Sequence, residues 1–179
     1  EAPEGEATAV GVETEGETEI PLVAGIIDPY PQRMVIETLD KNIVIQNPES
    51  RAIEDLDTAL LSGAVRHPDS ADFERTGNMF LFGHSSYLPK VFNKNFQTFN
   101  DIQNLVWGDI IRIQSSDTEY HYRVTKVYQT KASEAKVTFA NETPKLTLMT
   151  CNSFGAKDDR FVVEAELIET RIISENGST

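Results

Sequence analysis

The sequence predicts a mainly β fold, either a mostly antiparallel barrel or a sandwich. Three observations support this: short apolar runs rich in β-branched residues, polar turns between them, and no regular alternation of strands with helices. Seven or eight strands and two short helices fit within 179 residues, a length that suits one domain plus some tail. A domain of this size buries well over half of its unfolded surface, so it needs no disulfide or metal to fold.

The predicted strands are short runs that end at polar or turn-forming residues. A serine-serine-aspartate turn, for example, separates the strand that ends at Gln114 from the one that begins at Thr118. The predicted strands occupy residues 33–37, 42–46, 78–82, 109–114, 118–129, 145–150 and 160–168.

Two short helices and one long loop complete the prediction. Residues 51–62 carry apolar side chains at helical spacing, and Gly63 is a natural stop. Residues 99–107 have one apolar side and begin with a pair, Asn100 and Gln103, that resembles a capping box. The polar stretch 130–144 predicts a long loop, and such loops are usually functional or mobile.

Charge separates the chain into an acidic segment and a milder body. Net charge is −13, yet residues 1–20 hold seven glutamates and neither Lys nor Arg. The remainder has 16 basic and 22 acidic residues, a balance of −6. We therefore expect a disordered acidic linker over 1–20, a folded domain over 21–173 and a frayed tail over 174–179. The acidic body argues against binding to nucleic acid and to an anionic membrane surface.

Chemistry is concentrated on three residues that stand at strand ends. Cys151 is the only cysteine, so an internal disulfide is impossible. Strand alternation places it on the face opposite Leu146 and Leu148, and it places Arg160 opposite the core face of the next strand. His84 closes the strand 78–82. A nucleophile, a proton carrier and an oxyanion partner can be drawn from these three side chains.

The other titratable candidates favour structural roles. His67 lies in a predicted loop, and alternation sets His121 beside Arg123 on the outer face, where we expect solvent. Three loop carboxylates form an acidic cluster, but such acids are usually only solvated. They are Asp69, Asp72 and Glu74.

Five motifs in order resemble the sortases, the cysteine transpeptidases of bacterial cell surfaces. The family signature T-L-x-T-C is complete at residues 147–151, and the order His, Cys, Arg also matches. The resemblance covers about residues 30–170 and leaves the subclass open. The motifs are Gly-His-Ser-Ser at 83–86, Leu-Val-Trp-Gly-Asp-Ile-Ile at 105–111, Tyr-x-Tyr-x-Val at 120–124, Leu-Thr-Leu-Met-Thr-Cys at 146–151 and Arg-Phe-Val-Val-Glu-Ala at 160–165.

This resemblance implies a closed eight-stranded barrel and a two-step acyl transfer. Cys151 would attack an L-P-x-T-G type sorting signal between Thr and Gly, with His84 as general acid and base and Arg160 on the oxyanion. Thr150 would help to position the substrate, and Val137 and Phe139 of the loop 130–144 would line its groove.

The resemblance also implies partners and a location. The thioester would pass to an amine such as a peptidoglycan precursor or a pilin lysine. The chain has no apolar stretch near the roughly 20 residues of a membrane span and no signal peptide. These two observations are compatible with an intracellular protein or with an ectodomain. Because sortases are usually tethered by a transmembrane helix, the resemblance implies an ectodomain at the outer face of the bacterial membrane, with the acidic segment as its stalk. No cofactor is expected, although calcium at the acidic loop stays open because some sortases bind it.

Three alternatives compete with this interpretation. L,D-transpeptidases share the His-before-Cys order but typically have Ser-x-Gly-Cys, whereas Met149 and Thr150 precede the cysteine here. Papain-like peptidases place Cys before His. A secreted β domain for adhesion or surface assembly remains the non-catalytic alternative, and it gives no reason for the three residues to occur together.

Overall fold

Eight strands close into a barrel in the computed structural model, which describes residues 28–152 and 158–173. The predicted linker 1–20 and tail 174–179 lie outside the described residues. The strands are β1 Arg33–Ile36, β2 Lys41–Gln46, β3 Ala64–Arg66, β4 Asn78–Ser85, β5 Ile110–Gln114, β6 Thr118–Lys131, β7 Lys145–Asn152 and β8 Asp159–Ile172. The helices are α1 Ile53–Leu60 and the 3-10 helices Glu37–Leu39, Lys94–Gln97 and Ile102–Asn104.

The strand order around the barrel is β1-β2-β3-β4-β7-β8-β6-β5, and β5 pairs back to β1. Every neighbouring pair is antiparallel except β2 with β3 and β4 with β7. The mostly antiparallel, closed barrel is therefore confirmed. The parallel β4–β7 pair joins segments about 60 residues apart in the chain and brings their carboxyl ends to the same edge.

Side-chain alternation fills the barrel as the sequence predicts. Leu146 and Leu148 of β7 are fully buried in the core, and Val163 and Ala165 of β8 join them. The opposite faces of these strands form the outer surface of the barrel. Cys151 belongs to this outer face, where it packs beside a second apolar cluster formed by Leu60, Val65 and Phe82. The two faces thus separate the packed interior from the surface that carries the chemistry.

Helix α1 covers part of that outer face. Leu60 at its end is buried against Val65 and Phe82. Gly63 then has φ +152°, and a Cβ there would stand 2.2 Å from the Val44 carbonyl oxygen. The predicted helix stop is therefore also the point where the chain passes close to β2. Within the described residues, no helix has the length and apolar character that a membrane span requires.

Two predictions of local structure were wrong. β3 was missed because it has three residues, all buried, and so shows neither alternation nor length. The helix predicted over 99–107 is only the 3-10 turn Ile102–Asn104. Its apolar side chains Phe99, Ile102 and Leu105 do bury into the core, but through an irregular segment that lies against the barrel.

The loop between β6 and β7 is shorter than predicted because β6 continues to Lys131. One turn follows, in which the Ala135 backbone N–H donates to the Lys131 carbonyl over 2.9 Å. The loop is tied to the start of β4. The backbone and side-chain N–H groups of Asn78 donate to the carbonyls of Phe139 and Thr138, at 2.8 and 3.0 Å.

Candidate active site

The parallel pairing of β4 with β7 sets His84 directly beside Cys151. Their Cα atoms are register partners, and the pairs before them on the outer face are Phe82 with Met149 and Phe80 with Thr147. Both residues stand at the carboxyl ends of their strands, where a side chain can overhang the barrel edge. A hydrogen bond joins the His84 ring to the Cys151 backbone. The imidazole and the thiol therefore share one end of the barrel.

Arg160 reaches the same end from β8. The β7–β8 ladder runs to the pair Met149 with Val162, and beyond it the Phe161 N–H donates to the Thr150 hydroxyl at 2.9 Å. This side-chain bond links β7 to β8 one residue beyond the last ladder pair. One guanidinium nitrogen of Arg160 donates to the Asp159 carbonyl at 3.3 Å. The three predicted residues are thus brought together at the ends of three adjacent strands.

The backbone after His84 is held by a small hydrogen-bonded clamp. The Phe99 N–H donates to the His84 carbonyl at 2.8 Å. The Asn100 amide accepts from the Ser86 N–H at 2.8 Å and donates to the Ser86 carbonyl at 2.7 Å. The predicted capping role of Asn100 was therefore wrong, since the 3-10 turn begins after Asp101, whose φ is +70°. Asn100 instead fixes the strand end that carries the imidazole.

Gly83 provides the space that this clamp needs. A Cβ at Gly83 would lie 2.8 Å from the Phe99 ring, which is fully buried. We expect Gly83→Ala to lower the free energy of unfolding by about 1–3 kcal/mol, because overpacking a filled core forces shifts in the backbone. Activity should fall as well, since Phe99 also bonds the His84 carbonyl. Chemical denaturation and peptide turnover measure the two effects.

A Phe99→Leu background gives the matched control for this substitution. Leucine leaves room at the ring position, so the additional cost of Gly83→Ala should shrink there. An equal cost in both backgrounds would show that the clash with the Phe99 ring is not the cause.

Burial favours the neutral forms of the Cys151 thiol and the His84 imidazole. Desolvation raises the pKa of the Cys151 thiol to about 11, although the nearby Arg160 charge acts to lower it and Asp57 acts to raise it. Desolvation also lowers the pKa of His84, although the Asp57 carboxylate and the hydrogen bond to the Cys151 backbone both act to raise it. The residue Cys151 retains some accessible surface, but its thiol is enclosed enough for desolvation to dominate. The thiol and the imidazole are therefore both mainly neutral at pH 7.

Alkylation by iodoacetamide should report this raised pKa. We expect the rate at Cys151 to keep rising above pH 10, whereas a free thiol has its midpoint near pH 8.5. Arg160→Gln should slow the reaction at pH 9 and Asp57→Asn should accelerate it, because each removes one of the opposing charges. A midpoint near pH 8.5 in the unaltered protein would contradict the desolvation argument.

The two predicted loop residues lie on the outer face, farther along β4 and β7. The Phe139 ring packs against His67 and Phe80, with ring centroids 5.0 and 6.0 Å away. Val137 lines a cavity of about 250 Å³ that also contains Thr147. Phe80 and Thr147 are a register pair four residues before His84 and Cys151. The loop thus borders a surface that leads along the strands to the thiol.

The sequence of this chain matches the family model described as the sortase domain over residues 34–168. The chain belongs to the sortase family. Sortase A from Bacillus anthracis is 31% identical over 112 residues, which is 63% of this chain and 50% of that protein. The chain therefore spans about half the length of this curated sortase.

Solved sortases share the fold at low sequence identity. Sortase A of Listeria monocytogenes has a TM-score of 0.63 at 22% identity, covering 83% of this chain and 93% of its own. Sortase E of Streptomyces avermitilis has a TM-score of 0.63 at 22% identity, covering 83% of this chain and 94% of its own. Sortase C of Streptococcus pneumoniae, described with pilin substrate specificity, has a TM-score of 0.62 at 17% identity. The match covers 79% of this chain and 67% of that sortase. The expected sortase barrel is thus confirmed.

The two remaining histidines lie away from the sortase thiol. His67 packs between Phe80 and Phe139. His121 lies on the outer face as expected, but the prediction of solvent exposure was wrong because it is buried. Its Nε2 lies 2.6 Å from a Glu119 carboxylate oxygen, and its Nδ1 lies 3.7 Å from Glu169 on β8. Glu119 on the same strand and Glu169 on the neighbouring strand cover the ring, and alternation alone does not indicate this packing.

Two of the three carboxylates of the acidic loop form ion pairs with arginines. Asp69 pairs with Arg51 at 2.6 Å, and Asp72 pairs with Arg75 at 2.8 Å. Among residues 28–152 and 158–173, no three His, Cys, Asp or Glu side chains are arranged to hold a metal ion.

Two contributors to the site were missed from the sequence. Asp57 on α1 acts electrostatically on both His84 and Cys151. Asn100 clamps the end of β4. Helical spacing places Asp57 one position from Leu56, on the polar side of α1, but it does not show that α1 packs beside the thiol. No local pattern pointed to the role of Asn100.

Proposed function

We propose that this sortase is a cysteine transpeptidase that cleaves an L-P-x-T-G type sorting signal and transfers the new carboxyl end to an amine. The observation that carries the proposal is the β4–β7 register, which pairs His84 with Cys151, while Arg160 is the second residue of the adjoining strand. Membership of the sortase family supports it. A nucleophile, a proton carrier and a cation at one edge are the components that acyl transfer through a thioester needs.

The first half-reaction moves one proton through His84. The Cys151 thiol gives its proton to the imidazole as sulfur attacks the carbonyl between Thr and Gly of the signal. Arg160 donates hydrogen bonds to the oxyanion of the tetrahedral intermediate. The imidazolium then protonates the departing glycine amine, and the C–N bond breaks to leave a thioester. Because both groups begin neutral, the reactive thiolate–imidazolium pair is a small minority of the free enzyme.

The second half-reaction reverses these roles. An incoming primary amine gives its proton to His84 as it attacks the thioester, and Cys151 leaves and recovers a proton. The acceptor is an amine such as a peptidoglycan precursor or a pilin lysine. The corresponding location is the outer face of the bacterial membrane, where such acceptors and the sorting-signal proteins meet.

Substrate would lie along the outer face of β4 and β7. An extended peptide advances about 3.3 Å per residue, so the Leu-Pro part of a signal held at Cys151 would lie near Met149 and Thr147. Val137 and Phe139 border this stretch and would contact it. Thr150 is fully buried, and its hydroxyl accepts a hydrogen bond from the Phe161 N–H. It would therefore position substrate indirectly, by holding the Arg160 strand against the Cys151 strand.

The proposed reaction needs no cofactor. The acids Asp69 and Asp72 already pair with arginines, which disfavours calcium at that loop. We expect exhaustive EDTA treatment to change peptide turnover by less than about twofold. A large loss of turnover that calcium restores and magnesium does not would show instead that the enzyme needs a calcium site.

Mass spectrometry of the 179-residue chain with a library of sorting-signal peptides tests the function directly. The expected result is a covalent adduct on Cys151 carrying the peptide up to its threonine, which disappears when an amine such as triglycine is added. His84→Ala serves as a control that retains the thiol. If no peptide forms an adduct while iodoacetamide still labels Cys151, the adhesion-domain alternative is favoured.

A further inference from the structure

The loop that follows β4 exposes an unusual concentration of apolar surface. Tyr87 is 61% exposed, Leu88 is 45% exposed and Phe92 is wholly exposed. We call residues 86–93 the apolar loop. Single exposed apolar residues are ordinary, but three within six positions form a patch, and such patches mark surfaces that bind something.

The segment that contains the apolar loop is itself positively charged, although the chain as a whole is acidic. Residues 85–100 contain Lys90 and Lys94 and neither Asp nor Glu, although the whole chain carries −13. Asp101 contacts the loop from the following segment, where its carboxylate accepts from the Tyr87 hydroxyl at 3.1 Å. Salt screens charges over about 8 Å at physiological ionic strength. A surface that meets this loop therefore senses its two lysines more strongly than acids farther away, and Asp101 offsets part of their charge. The argument from net charge against an anionic membrane does not apply locally.

The loop is held in place by hydrogen bonds. The side-chain amides of Asn93 and Asn95 donate to the Leu61 carbonyl at 2.7 and 2.8 Å. The Gln97 amide donates to the Ser86 carbonyl at 3.1 Å. These bonds tie both ends of the loop to α1 and to the end of β4. The apolar side chains thus project from a supported backbone, and Leu61 adds a further exposed apolar residue beside them.

We propose that the apolar loop docks this domain on the surface of an anionic lipid bilayer. Leu88 and Phe92 enter the boundary between headgroups and acyl chains, while Lys90 and Lys94 contact lipid phosphates. Aromatic and aliphatic side chains with flanking lysines are the composition that favours this interface. Since the loop begins two residues after His84, docking turns the His84–Cys151 end of the barrel towards the bilayer. The proposal is independent of the reaction at Cys151.

Vesicle flotation of the 179-residue chain tests the docking surface. The chain should float with vesicles of phosphatidylglycerol and phosphatidylcholine, and less with phosphatidylcholine alone. Leu88→Ser with Phe92→Ser should weaken partitioning at least about tenfold, because two apolar side chains no longer leave water. Ile172→Ser with Ile173→Ser is the matched control, since it removes two exposed apolar residues at the far end of β8 and should change nothing.

A charge variant keeps the test independent of the serine pair. Lys90→Glu with Lys94→Glu should remove the preference for phosphatidylglycerol while retaining the apolar side chains. No flotation of the unaltered chain, or equal flotation of the charge variant, would overturn the proposal. Self-association that the serine pair abolishes, in sedimentation without lipid, would show that a second copy covers the loop instead.

Discussion

Replacing Cys151 with alanine is expected to abolish turnover of an L-P-x-T-G type peptide, with a loss of at least about 10⁴-fold in kcat. The reason is that the proposed reaction proceeds through a bond to the Cys151 sulfur, for which the site has no substitute. The fold should survive. Cys151 packs beside the cluster of Leu60, Val65 and Phe82, and losing one sulfur there costs about 1 kcal/mol.

Cys151→Ser is the matched variant for this prediction. The hydroxyl occupies nearly the same space as the thiol but is a far weaker nucleophile at neutral pH, so it should be as inactive as alanine. Thermal unfolding should place both variants within a few degrees of the unaltered protein. Turnover by either folded variant above a percent of the original would contradict the role of Cys151 as nucleophile.

Arg160→Lys is expected to lower kcat/KM about 100-fold, the usual effect of removing one oxyanion donor. Lysine retains the positive charge but loses the planar fork of N–H donors that can hold an oxyanion in a fixed direction. The loss should appear mainly in kcat, because the interaction forms in the transition state.

The alkylation rate separates this effect from a change in the cysteine. Arg160 acts to lower the pKa of Cys151 through its charge, and lysine should largely retain that influence. Iodoacetamide should therefore label Arg160→Lys at nearly the original rate while turnover falls. Arg160→Gln should lower both the alkylation rate and the turnover, because glutamine carries no positive charge. Full turnover by the lysine variant would show that charge alone suffices and that no oriented donor is needed.

The inner and outer faces of the strands were the features that could be predicted most accurately from the sequence. β7 and β8 alternate apolar and polar residues, so their inner faces and the outward positions of Cys151 and Arg160 followed from a period of two. β3 gave no such signal, since its three residues are all buried. The segment 99–107 has apolar residues at helical spacing, yet contact with Gly83 and the barrel core holds it as an irregular segment with one 3-10 turn.

The chemistry of single side chains was less predictable than their positions. His121 was placed on the correct face, but Glu119 and Glu169 cover it. The influence of Asp57 on the site depends on how α1 packs against β3 and β4, which no spacing in the helix reveals. The contributions of Glu169 and Asp57 come from neighbours distant in sequence, and a local pattern contains no information about them.

The sequence by itself determined which residues face the core, which three could do chemistry, and the family in which that order of motifs occurs. Alternation and motif order are local properties of the chain, so they can be identified without coordinates. Only the tertiary structure decided that β4 lies parallel to β7, with His84 opposite Cys151 across 66 intervening residues. The pairings of β4 with β7 and of β7 with β8 join segments far apart in the chain, and these pairings bring the imidazole, thiol and guanidinium to one edge of the barrel.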